Sequence, residues 1–143
     1  SQWADKNLDT AEKFQLGGPF GVRAYPVGEG LGDHGWLATA EVRHNVGETQ
    51  LGNVEVFGFA DTGGVTQFVT TYSTAFDGKQ NNRNTYELSG VGLGVGVTYK
   101  DTGNLRVMVA EKIGSNPNPS IFNTDADGRK DNTRVWVVGT IVF

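Results

Sequence analysis

The chain has 143 residues, with 21 glycines, no cysteine, one methionine, and 12 basic against 16 acidic side chains. That length holds one domain at most, glycine stands at roughly twice ordinary usage, and the lack of cysteine excludes disulfides, thiolate metal cages and a cysteine nucleophile. A mild acidic excess with no basic run leaves no footprint for nucleic acid, and no stretch nears the roughly 18 apolar residues of a membrane-spanning helix, a limit that does not touch β-barrels, whose strands only alternate.

In chain order, residues 8–14 come first, where Asp9 and Glu12 are spaced as a capping box and predict one helical turn. Gly17-Gly18-Pro19 ends it, and the glycines and prolines that follow make residues 17–35 a long, tightly turned loop. From Trp36 the period becomes two. Over residues 36–44, Ala38, Ala40 and Val42 alternate with Thr39, Glu41 and Arg43. Over residues 53–61, Val54, Val56, Gly58 and Ala60 alternate with Glu55, Phe57, Phe59 and Asp61, and the two strands read as a hairpin through residues 47–50. Residues 86–99 carry Val91, Leu93, Val95 and Val97 on one face and Gly90, Gly92, Gly94 and Gly96 on the other, a surface smooth enough for another chain segment to approach the backbone. After a turn at residues 101–104, Leu105, Val107 and Val109 alternate with Arg106, Met108 and Ala110. A polar loop over residues 114–133 leads to a last strand with Val135, Val137, Ile141 and Phe143 on one face.

The predicted fold class is therefore all-β, an antiparallel meander of about five to six long strands, with residues 1–35 as a strand end and loop and residues 36–143 as the strands. Aliphatics on one face, small or polar residues on the other, and aromatics near strand ends (Trp36, Tyr86, Tyr99, Phe143) suit an outer-membrane barrel wall. A soluble β-sandwich with one wet face shows the same alternation, and as a binding module it is the alternative from another class.

Several chemical readings fall away. Residues 125–131 look like a calcium loop but lack the bidentate glutamate, His34 and His44 have no further ligand for zinc, and the glycines of residues 90–94 sit in a strand with no helix to follow. Asp61 and Glu41 could form an acid–base pair, but a neighbouring arginine would hold both ionised, so no enzyme and no cofactor are expected.

The loop segment Val22-Arg23-Ala24-Tyr25, preceded by Gly17 and Gly18, resembles the Val-Arg-Gly-Tyr signature of the two-partner-secretion transporters (TpsB, the haemolysin-activator and filamentous-haemagglutinin transporters), relatives of the barrel-assembly protein BamA. Phe59-Ala60-Asp61-Thr62-Gly63 resembles a second motif of that family, an aromatic followed by aspartate and glycine. The resemblance implies that residues 1–143 are the C-terminal segment of an outer-membrane barrel with a long loop folded into its lumen. It implies that Asp61 pairs with Arg23, and Glu41 is a second carboxylate candidate on the neighbouring strand. Alanine in place of the signature glycine requires that Ala24 avoid positive φ.

The terminal Phe143 resembles the signal read by the barrel-assembly machinery. The implied function is secretion of a partner exoprotein of haemolysin or adhesin type across the bacterial outer membrane, with outer-membrane lipid and the assembly machinery as partners. An outer-membrane insertase is the alternative within the same superfamily. Five strands cannot close around a lumen, so a piece of a larger barrel, with self-association of its edges, is the expectation.

Overall fold

A computed structural model describes every residue except 73, 74, 82, 101, 142 and 143, so the predicted signal at Phe143 lies outside the described residues. Five long strands form one antiparallel sheet in chain order: β3 (His34–Thr49), β4 (Gly52–Thr66), β5 (Thr85–Tyr99), β6 (Gly103–Lys112) and β7 (Thr133–Ile141). A two-stranded ribbon of β1 (Phe14–Gln15) and β2 (Leu31–Gly32) precedes them and closes the base of the glycine-rich loop. The sheet is a meander, as the alternation predicts, and is not closed: β3 and β7 are its edges.

The two faces differ as the period of two requires. Phe57, Phe59, Asp61 and Val65 of β4, Tyr86 and Leu88 of β5, and Met108 and Ala110 of β6 turn to one side and are buried there beneath the loop. Leu16, Val22, Ala24 and Tyr25 supply the loop's half of that core. The other face is aliphatic and open: Leu93 is 67% exposed, and Val56, Val95, Val107 and Val137 are exposed beside it. A soluble sandwich needs a second sheet over such a face, and among the described residues none is formed. An exposed aliphatic face of this kind suits the outside of a barrel wall.

Trp36 pairs with Gly64, which pairs with Glu87, so Trp36 and Tyr99 mark rows 12 residues apart (87 to 99) on β5. At about 3.4 Å per residue and a tilt of about 35–45°, the rows lie about 30 Å apart along a barrel axis, one hydrocarbon thickness. Both aromatics stand partly exposed at the rims of the open face. Tyr86 does not: it falls on the inward parity and is 4% exposed, so it belongs to the core rather than the rim.

Three boundaries differ from those expected. The predicted helical turn is a single hydrogen-bonded turn, Glu12 N donating to Asp9 O at 2.9 Å, after which the chain enters β1. The first hairpin turns at Gln50 and Leu51, not over residues 47–50, because a register shift between Asn45 and Gly47 takes up the earlier glycine. Strand β4 runs to Thr66, beyond the expected end at Asp61. Gly63 and Gly64 stay extended because both are paired in the ladder with β3 and β5; Leu16 packs where a Gly63 side chain would be, and Gly64 lies against the Trp36 ring.

Short connections, at Gln50–Leu51 and between Tyr99 and Gly103, lie at one end of the sheet, and the long ones, residues 67–84 and 113–132, at the other. The loop before β3 enters from the long-loop end. Outer-membrane barrels have this asymmetry, with short periplasmic turns and long extracellular loops.

Candidate functional site

Residues 16–30 form a compact double-back held by its own main chain. Leu16 N donates to Gly30 O at 3.0 Å, Gly17 N to Glu29 O at 2.9 Å, and Gly18 N to Tyr25 O at 3.0 Å. Gly18 has φ +116, a conformation costly for any residue with a Cβ. Inside the turn Val22 N donates to Leu16 O at 2.7 Å, and Gly21 passes so near Leu16 O that no side chain fits there. Gly17 and Gly18 are thus part of the fold of the loop and buried, and they touch neither Asp61 nor Glu41 by hydrogen bond. The alanine of the motif is accommodated, since Ala24 is not among the residues with positive φ.

The double-back carries Arg23 onto the inner face of the sheet. Arg23 Nε donates to Asp61 Oδ2 and Nη2 to Asp61 Oδ1, both at 2.9 Å, the two-pronged geometry that a guanidinium makes with a carboxylate. The Arg23 main-chain N–H adds a third bond to Asp61 Oδ2 at 3.1 Å. Nη1 donates to Glu41 Oε2 at 2.7 Å, and the guanidinium carbon lies 3.4 Å from the centre of the Phe59 ring. The structure therefore brings Arg23, Asp61, Glu41 and Phe59 together, with Arg23 5% and Asp61 2% exposed. Burial works to lower the Arg23 pKa, but the bonds to Asp61 and Glu41 outweigh it and hold it above the ordinary value.

Register explains the meeting. Thr39 pairs with Asp61 and Asp61 with Gly90, and Glu41 pairs with Phe59 one row below, so both carboxylates share the inward face on adjacent strands. Opposite them Gly90 leaves the space that the Ala24 methyl fills, so the loop touches the glycine face of β5 there, while Gly92, Gly94 and Gly96 are covered by Phe59, Phe57 and Glu55 of β4. Val22 and Tyr25 are buried against the same wall. Gly63, beneath Leu16, supports the loop from the end of β4.

Other contacts were not foreseen from sequence. Trp136 Nε1 of β7 donates to Arg23 O at 2.7 Å, so the motif is bonded to β7 as well as to β3 and β4. Glu41 Oε1 also accepts from Arg43 at 2.7 Å and Arg106 at 3.0 Å, and Arg106 lies over the Phe57 ring at 4.2 Å. Parity places Phe57, Arg106 and Trp136 on the inward face, which is the signal that finds them; nothing in the sequence pairs them with Arg23.

A second ionic group sits at the long-loop end. Asp125 Oδ2 accepts from Lys112 Nζ at 2.5 Å and from Arg134 Nη2 at 2.6 Å, and Arg134 also forks onto Asp127. Two carboxylates of the calcium-like stretch, Asp125 and Asp127, are thus engaged with cations of β6 and β7. Burial works to raise the Asp125 pKa, but Lys112, Asn116 and Arg134 prevail and hold it below the usual range. Lys112 also lies over the Tyr25 ring at 5.0 Å, and burial, with Asp125 and Glu29 nearby, pushes the Tyr25 hydroxyl up to about 12.

Asp33, with its side chain fully buried, ties three segments, accepting from Leu8 N at 3.0 Å, Val69 N at 2.9 Å and Lys13 at 2.9 Å. His34 Nε2 lies 2.6 Å from Ala4 O and serves this same docking of the first residues.

The family model for the Omp85 superfamily domain matches residues 1–124. The heme/hemopexin transporter protein HuxB of Haemophilus influenzae (strain 86-028NP) is 30% identical over 117 residues, covering 80% of this chain and 20% of that protein. The chain spans about a fifth of the length of this curated relative. No solved structure matches. With an open meander, an aliphatic outward face and an inward loop in place, the chain belongs to the Omp85 superfamily of bacterial outer-membrane proteins.

Proposed function

We propose that this chain forms part of the barrel wall of an outer-membrane translocator that passes an unfolded partner exoprotein, of haemolysin or adhesin type, and that residues 16–30 are its internal plug. Arg23, Asp61 and Glu41 are the anchor, Phe59 and Gly63 support it, and Val22, Ala24 and Tyr25 fit the loop to the wall. The observation that carries the reading is the two-pronged Arg23–Asp61 pair, buried on the face turned away from lipid. An arginine in a partly dehydrated lumen is costly alone, so a loop that brings one there with two carboxylates waiting is built to be held. The similarity to a protein described as a heme/hemopexin transporter supports transport as the activity. Lipid would cover the aliphatic face, and the barrel-assembly machinery would read Phe143.

The test uses the whole protein that carries this segment, produced together with its exoprotein. Breaking a buried ion pair on one side costs about 3–5 kcal/mol, enough to shift the anchored population by about a hundredfold or more. Arg23→Ala is therefore expected to cut exoprotein release sharply while the barrel still reaches the outer membrane, and Arg23→Lys, which keeps charge but loses the fork, to fall between. Release unchanged in Arg23→Ala would contradict the plug. A wild-type protein that inserts other barrels and releases no exoprotein would favour the insertase.

A further inference from the structure

The loop is held at a second point, away from Arg23. Glu29 lies in the returning limb of the double-back and is 1% exposed. Its Oε2 accepts the main-chain N–H of Ala126, in the connection between β6 and β7, at 2.7 Å, while Oε1 has no partner. Burial raises the Glu29 pKa, against the bond from Ala126 and the nearby Asn116 amide, which itself donates to Asp125. A buried carboxylate spanning two loops with a single protein bond to the second is a contact that opens without dismantling either loop.

The far side of the contact is rigid. Ala126 is flanked by Asp125 and Asp127, which bind Lys112 and Arg134 at the ends of β6 and β7, and Asp125 N closes on Arg129 O at 2.8 Å. The connection over residues 113–132 is thereby strapped across the mouth of the sheet at the long-loop end, with Glu29 under it. The two attachments bracket the motif: Asp61 and Glu41 hold Arg23, and Ala126 holds Glu29.

We infer that residues 125–127 form a latch that keeps the plug seated through Glu29, and that the plug leaves the wall only after Glu29 and Ala126 separate. Glu29 and Asp125 are positioning residues in this device. The inference rests on the reading of residues 16–30 as an internal plug, and its test reads plug movement without any exoprotein.

A Cβ at Gly28 would stand 3.9 Å from the Ala126 Cβ, within the span of a disulfide, and the chain has no other cysteine. The whole protein is made as Gly28→Cys/Ala126→Cys, with Gly28→Cys alone as the control for its positive φ, and single-channel conductance is recorded in planar bilayers. The latch predicts that oxidation suppresses large openings and that reductant restores them in the same molecules, while the single variant responds to neither. It also predicts frequent opening and faster protease cleavage of the loop in Glu29→Ala. Glu29→Gln, which still accepts from Ala126, stays near the parent protein. A merely structural contact would lower stability without making openings follow the redox state. Openings unchanged with the crosslink closed overturn the latch, as does a pair that closes neither with oxidant nor with a short thiol-reactive crosslinker. Secretion is scored apart: conductance that follows the crosslink with no exoprotein released supports the latch and overturns the proposed cargo.

Discussion

Arg23 makes four charge-assisted bonds to two carboxylates, one of them from its main chain, and its own carbonyl is bonded to Trp136. A lysine could match the charge but not the planar fork, and an exposed pair would hold the loop weakly. The contact also depends on what is missing opposite it. Gly90 sits under Ala24, and its added Cβ would overlap the Ala24 methyl. Gly90→Ala is therefore expected to cost about 1–3 kcal/mol of loop seating with little change in the sheet, whose open face it does not reach. Protease cleavage within residues 16–30, read against an unchanged circular dichroism spectrum, checks this. Seating undisturbed by the new methyl would mean that the loop does not lie on β5.

At the scale of the element, each long strand presents one face to the loop and one to lipid, and the substitutions each tolerates should alternate with the same period. Leu93, near the middle of the aliphatic face, is the sharpest place to check. Leu93→Arg is expected to cost about 2–4 kcal/mol at the bilayer midplane, seen as loss of the heat-resistant folded barrel in outer-membrane fractions. Normal assembly of that variant would show that this face does not meet hydrocarbon. Parity along the strands was legible in the sequence because it depends only on neighbours two apart: it places Phe59, Asp61 and Glu41 inward and Val91 to Val97 outward. The extension of β4 to Thr66 was not, because Gly63 and Gly64 carry no side chain to continue the alternation until Leu16 and Trp36 are packed on them. Nor was the docking of Lys112, Asp125 and Arg134, which brings together residues whose spacing carries no pattern. The meeting of Arg23 with Asp61 was suggested by motif resemblance and owes its geometry to register, which no local signal specifies.

Over the whole molecule, the short turns gather at one end, the long connections and the entry of the loop at the other, and the core lies between loop and sheet rather than between two sheets. Edges at β3 and β7 remain to pair, as they would in a barrel of the kind the Omp85 superfamily builds, and the chain spans about a fifth of its curated relative. What distinguishes this segment from a plain stretch of barrel wall is that its own loop packs on its inward face, with the buried Arg23–Asp61 pair as the central pin. A double-mutant cycle on Arg23→Ala and Asp61→Ala, read as unfolding free energy of the whole protein in detergent, measures that pin directly. Each single change is expected to cost about 3–5 kcal/mol by leaving a buried charge without its partner. The double variant should cost clearly less than the sum of the two, with a coupling near the upper end of the usual range of about 0.5–3 kcal/mol. Losses that simply add would contradict a loop held to the wall by Arg23 and Asp61.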